Sequence, residues 1–88
     1  MKFQFSGNLL RYVDFHREVE VQGSSVEQGI NRVVEAYPKL NPIVHDSSGR
    51  IRQLHRFFLN GDLLNQDELD RPVGPNATVA LLTPIAGG

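Results

Sequence analysis

Eighty-eight residues, 40% of them apolar and 22% charged, with a net charge of −1, describe one small globular domain with one modest core and little room for a buried catalytic cleft. The balanced charge gives no electrostatic drive toward nucleic acid or an anionic membrane, and no apolar run reaches the about eighteen residues of a membrane span. The absence of cysteine removes disulfides, thiolate metal sites and cysteine nucleophiles together, and Met1-Lys2-Phe3-Gln4-Phe5 has no signal-peptide apolar region, so a cytoplasmic location is expected.

In chain order, Phe3 and Phe5 alternate with Gln4, and Val19 and Val21 alternate with Glu18, Glu20 and Gln22. This period of two predicts antiparallel strands near residues 2–6 and 17–22. The apolar run Leu9, Leu10, Tyr12, Val13 and Phe15, after the turn formers Ser6-Gly7-Asn8, reads as a strand end or an edge connection longer than a tight hairpin needs. Ser24 with Glu27, or Ser25 with Gln28, fits a capping box. Val26, Ile30, Val33, Val34 and Tyr37 then form one apolar stripe, and Pro38 stops the chain from continuing helical. A helix over 25–37 is predicted, with Gly29 inside it pointing to a close backbone approach to a sheet. Residues 39–52 read as a long loop, with Ile43, Val44 and Ile51 as pegs onto the domain. Leu54–Leu59 is a strand, Asn60-Gly61 a type I′ turn and Asp62–Leu64 the returning strand. Leu69 anchors an otherwise polar stretch. Thr78–Thr83 is a strand apolar enough to lie centrally, and Pro84 ends its pairing.

This order predicts an α+β β-grasp (ubiquitin-like) fold: a mixed sheet of four or five strands, one main helix packed on one face, and the last strand parallel to the first. The domain would occupy residues 1–84, with residues 85–88 as a flexible tail. The other sheet face would be open to a partner. Phe57 and Phe58 must face opposite sides, and the one on the open face, taken as Phe58, could build an apolar patch with Leu82.

No internal catalytic constellation emerges. His16, His45 and His55 lack metal-ligand spacing and read as surface or half-buried histidines. Asp62, Asp67, Glu68 and Asp70 read as a solvated loop, or as a patch for a basic partner. Arg50, Arg52 and Arg56 read as solvated. Attention falls on Thr83-Pro84-Ile85-Ala86-Gly87-Gly88, where an apolar strand runs into two glycines. Ile85–Gly88 could reach about 13 Å when extended, a stalk thin enough to carry its carboxylate into another protein's active site. An incidental glycine end is the plainer alternative.

The β-grasp order, the Leu59-Asn60-Gly61-Asp62 hairpin and the ending Val79-Ala80-Leu81-Leu82-Thr83-Pro84-Ile85-Ala86-Gly87-Gly88 resemble the MoaD/ThiS sulfur-carrier proteins. The long connection before Leu54-His55-Arg56-Phe57 is most similar to the CysO-like branch, although the link from Phe57 to Asn60 is shorter than in that branch. The resemblance implies a protein that is not itself an enzyme and has no intrinsic cofactor. An adenylyltransferase of the ubiquitin-activating type would use ATP to adenylate Gly88. Sulfur from a persulfide or sulfide donor would then yield a Gly88 thiocarboxylate, which passes sulfur to a downstream accepting enzyme. Pro84, Ile85, Ala86 and Gly87 would enter the partner's active site, and Phe58 and Leu82 would dock. The alternatives are a ubiquitin-like modifier joined through Gly88 to a lysine, and a β-grasp interaction module.

Overall fold

The computed structural model describes residues 1–83. The expected boundary at 84/85 and the tail 85–88 lie outside the described residues. β1 (Lys2–Gln4) and β2 (Glu18–Glu20) pair antiparallel, with Phe3 opposite Val19. Alternation sorts their side chains: Phe3, Phe5 and Val19 are buried, while Lys2, Gln4, Glu18 and Glu20 line the other face. Both strands are shorter than expected.

The apolar run between them is a 3-10 helix, Gly7–Tyr12, not a strand end. Gly7, at φ 60, starts it, a backbone angle that glycine adopts freely. Winding the chain tucks Leu9 and Val13 into the core, which an extended connection leading away from the sheet could not do. The return to β2 passes through two left-handed residues, Asp14 (φ 53) and Phe15 (φ 62), and leaves the Phe15 ring 71% exposed.

The main helix is α1 (Val26–Ala36). Ser25 is the cap: its hydroxyl accepts the Gln28 N–H at 3.1 Å. The Gln28 side chain reaches one residue further back, accepting from the Ser24 N–H at 2.7 Å. Val26, Ile30 and Val33 are fully buried, and Val34 and Tyr37 pack at the margin. Gly29 meets the sheet as expected: a methyl group there would collide with Met1 Sδ and lie 2.7 Å from Phe3 Cε2. Tyr37, at φ −130 and ψ 78, leaves helical geometry just before Pro38.

Residues 39–52 hold more order than a loop. Pro38–Leu40 is a 3-10 turn, continued by one α-helical turn, α2 (Asn41–Val44). Leu40 and Val44 are fully buried and Ile51 is buried, while Ile43 packs half-buried against the core. Proline at the start of each turn removes a donor that would go unused there. The segment closes through an isolated bridge between His45 and Ile51. The Asp46 carboxylate organises that turn, accepting from the Ser48 hydroxyl at 2.6 Å, the Ser48 N–H at 2.9 Å and the Arg50 N–H at 3.1 Å. The bonds from the Ser48 hydroxyl and then the Arg50 amide hold this carboxyl below the usual carboxylate range.

β3 (Arg56–Leu59) turns through Asn60 (φ 50) and Gly61 (φ 92) into β4 (Asp62–Leu64), the type I′ geometry that Asn-Gly favours. The Asn60 side-chain oxygen also accepts the Thr78 N–H at 3.0 Å. After a 3-10 turn at Gln66–Glu68, buried Leu69 anchors the polar stretch. β5 (Thr78–Leu82) lies between β1, to which it is parallel, and β3, to which it is antiparallel. The five-stranded order β2-β1-β5-β3-β4 is the β-grasp, ubiquitin-like sheet, and its central strand is the one that runs toward residue 84.

Candidate functional site

The face of the sheet opposite α1 can be read row by row from the pairing. One row runs Glu18, Gln4, Ala80, Phe58, Leu63; the next toward the end of β5 sets Leu82 opposite Arg56. The β2–β1 side is polar, with Lys2 3.8 Å from Glu18. The β5–β3–β4 side carries Ala80, Phe58, Leu63 and Leu82, with Arg56 at its edge beside Leu82. Phe57 is the phenylalanine that enters the core, and Phe58 stands half-buried on the open face. Leu82 is its diagonal neighbour and is 46% exposed; Leu63 lies directly opposite it and is 53% exposed.

The structure thus brings Phe58 and Leu82 together and adds Leu63, which reading the sequence missed. A signal for Leu63 was present. A two-residue Asn60-Gly61 turn pairs Leu59 with Asp62, so Phe58 must face Leu63. The remaining expected site residues, Pro84, Ile85, Ala86, Gly87 and Gly88, lie outside the described residues.

At the edge of the patch, Arg56 Nη1 donates to the Gln53 carbonyl at 3.0 Å, in the turn that precedes β3. Arg52 Nε donates to the Pro42 carbonyl at 3.2 Å and braces α2. Of the acidic cluster, Glu68 is structural: it accepts the Asn65 N–H at 2.9 Å and pairs with Arg71 at 3.1 Å. The three histidines are dispersed. His16 Nδ1 meets the Tyr37 hydroxyl and His45 Nδ1 meets Asn41 Oδ1, each at 2.9 Å. His55 is 3% exposed, far more buried than expected of a surface or half-buried histidine, and bonds Ile43 and Thr83. Among the described residues, no group of three or more His, Cys, Asp or Glu could hold a metal ion. No helix among them is long and apolar enough to cross a membrane.

Phe58, Leu63 and Leu82 thus form a small, partly exposed apolar patch that flanks the end of β5. Comparison with known proteins agrees with this architecture. The model of the ThiS family matches residues 5–88. No curated protein matches the chain in sequence. Among solved structures, SAMP1 from Haloferax volcanii is 22% identical with a TM-score of 0.82, covering 99% of this chain and 97% of that one. CysO in the Amycolatopsis orientalis BexX/CysO complex is 17% identical with a TM-score of 0.84, covering 99% and 98%. Mycobacterium tuberculosis CysO is 14% identical with a TM-score of 0.80, covering 96% and 98%.

Proposed function

Because the chain belongs to the ThiS family, we propose that it is a sulfur carrier whose reactive group is the carboxylate of Gly88. The observation that carries this reading is the family match, which extends through Gly87-Gly88. The chemistry follows from the group. A C-terminal carboxyl has a pKa of about 3.5 and is ionised, and hence a poor electrophile, at neutral pH. Attack of a carboxylate oxygen on the α-phosphorus of ATP, in a partner adenylyltransferase, releases pyrophosphate and leaves an acyl-adenylate. Sulfide sulfur then adds to the Gly88 carbonyl and expels AMP. A persulfide donor does the same but leaves an acyl disulfide, from which a second donor-side thiolate attacks the donor's sulfur, forming a disulfide on the donor and releasing the Gly88 sulfur. The product, a thiocarboxylate, keeps its negative charge on sulfur and is a good nucleophile for a downstream enzyme that accepts the sulfur. Glycine at 87 and 88 suits passage through a channel too narrow for a β-carbon. A chain without cysteine offers no thiol to exchange with a donor persulfide.

In this reading the Phe58, Leu63 and Leu82 patch docks on the activating enzyme while residues 84–88 enter its site. The apolar patch flanks the strand that leads into the tail, which is where such a partner must bind. The chain supplies no cofactor of its own, and ATP is consumed by the partner.

A second reading is favoured by one observation: a solved relative from Methanosarcina acetivorans, 17% identical with a TM-score of 0.86, is named small archaeal modifier protein 1. There the activated Gly88 carbonyl would be transferred to a lysine amine, forming an isopeptide bond. Intact-mass spectrometry of the protein from its native host separates the two. A gain equal to exchanging one oxygen for sulfur supports the carrier, and conjugates trapped on lysine support the modifier. An unaltered terminus in the presence of a cognate activating enzyme, ATP and a sulfur donor would overturn both, as would unimpaired function of Gly88→Ala.

A further inference from the structure

His55 is a buried titratable group that the chemistry at Gly88 does not use, and both its ring nitrogens are engaged. Nε2 lies 2.6 Å from the Ile43 carbonyl oxygen, and Nδ1 lies 2.6 Å from the Thr83 hydroxyl. A carbonyl can only accept, so Nε2 carries the proton. Burial, with smaller contributions from Arg52 and His45, holds the imidazole below its usual range against the opposing effect of the Ile43 bond. The ring is therefore neutral at neutral pH, Nδ1 presents a lone pair, and the Thr83 hydroxyl donates to it.

The register explains the meeting. One pair beyond the last rung of β3–β5, Arg56 with Leu82, His55 comes opposite Thr83. Both positions lie on the face shared by Phe57 and Leu81, the core face, and so turn away from Phe58, Leu63 and Leu82. Backbone pairing has stopped there, and the imidazole continues it with a side-chain bond. Ile43 belongs to α2, so the long segment after α1 is tied to the end of β5 through a single ring.

Resting on the sulfur-carrier reading, we propose that His55, braced by the Ile43 carbonyl, is a positioning residue for the reaction at Gly88: by holding Thr83 it fixes the point from which Pro84–Gly88 sets out. Five residues span at most about 17 Å, so the position of this root bounds where the carboxylate can go. A root free to swing spreads the same carboxylate over a larger volume, lowering its effective concentration in the activating site after docking. The segment 38–52 thereby gains a role as the brace behind the tail. The lock and the docking patch occupy opposite faces, so they separate kinetically: loss of the patch weakens docking, while loss of the lock slows turnover of the docked complex.

The experiment uses the full chain, a cognate activating enzyme and ATP, with pyrophosphate release followed at varied carrier concentration. Thr83→Val keeps the shape and removes the donor. Its kcat is expected to fall about tenfold with KM for the carrier within about twofold, while Thr83→Ser, which keeps the hydroxyl, stays within about twofold of the parent. Assays run at a temperature where circular dichroism shows each variant fully folded, so a merely structural role would move neither constant. His55→Leu combined with Thr83→Val is expected to lose no more than either alone, because one contact is removed twice. A parent that turns over alongside a Thr83→Val protein with unchanged kcat overturns the lock, as does an additive, about hundredfold, loss in the double variant. A parent that releases no pyrophosphate and gains no sulfur overturns the carrier reading itself, and the lock with it.

Discussion

Replacing Leu63 and Leu82 together by serine tests the docking patch. Fully burying a leucine side chain is worth about 2 kcal/mol. Leu63 is 53% and Leu82 46% exposed, so a partner that covers them gains about half that from each, about 2 kcal/mol for the pair. At 1.4 kcal/mol per factor of ten, the double variant should bind an activating enzyme about 30-fold more weakly. Phe58 is left in place because, half-buried, it also supports the sheet. Folding should be weakened by no more than about 2 kcal/mol, at about 0.5 kcal/mol for each exposed strand substitution and up to about 1 kcal/mol more for the lost Leu63–Phe58 pair, which leaves the domain folded. Isothermal titration calorimetry without ATP reads the dissociation constant directly, and urea unfolding checks that the domain is intact. A folded double variant that binds within twofold of the parent would refute the assignment of this face, whatever happened at Gly88.

Three further outcomes follow from the packing. Gly29→Ala gains about 1 kcal/mol of helix propensity but must displace Phe3 Cε2, only 2.7 Å from the added methyl, and Met1 Sδ. Overpacking costs of about 1–3 kcal/mol exceed the gain, so the variant should unfold at lower urea, and a stabilised variant would show that α1 stands further off the sheet. Phe15→Gly removes a ring that is 71% exposed from a left-handed position and should stabilise by about 1 kcal/mol; a loss of stability in thermal melts would mean that the ring packs on something. Stability should also carry a signature of His55. Its native pKa is lowered, so below the unfolded value of about 6.5 the unfolded chain binds more protons. The associated stability is complete above that value and declines as pH falls toward the native pKa. Denaturant titrations across this window should show a steeper acid loss for the parent than for His55→Leu; equal slopes would contradict the burial of a neutral ring.

Local chemistry makes much of this fold legible in the sequence. The alternation at Phe3 and Phe5, the Ser25–Gln28 cap, Pro38 and Asn60-Gly61 each act within a few residues, so their consequences appear in the order of the chain. The same was not true of Gly7–Tyr12 or of Pro38–Val44. Their helical turns are too short to be set by propensity, and they form because Leu9, Val13, Leu40 and Val44 have a core to fill. Leu63 lay between these cases, since the hairpin register that places it opposite Phe58 is local while the openness of the face is not.

The sequence by itself determined the β-grasp order and the glycine pair at 87 and 88, because strand period, caps and tight turns are properties of neighbouring residues. Only the tertiary structure decided that His55 is buried. Its partners, Ile43 and Thr83, stand 12 and 28 residues away in the chain. They meet because β3 and β5 pair antiparallel and α2 closes over the same end. Hydrogen bonds from one ring to a backbone carbonyl and a hydroxyl so distant leave no periodic trace, since they depend on where three elements stop and not on what any of them is made of.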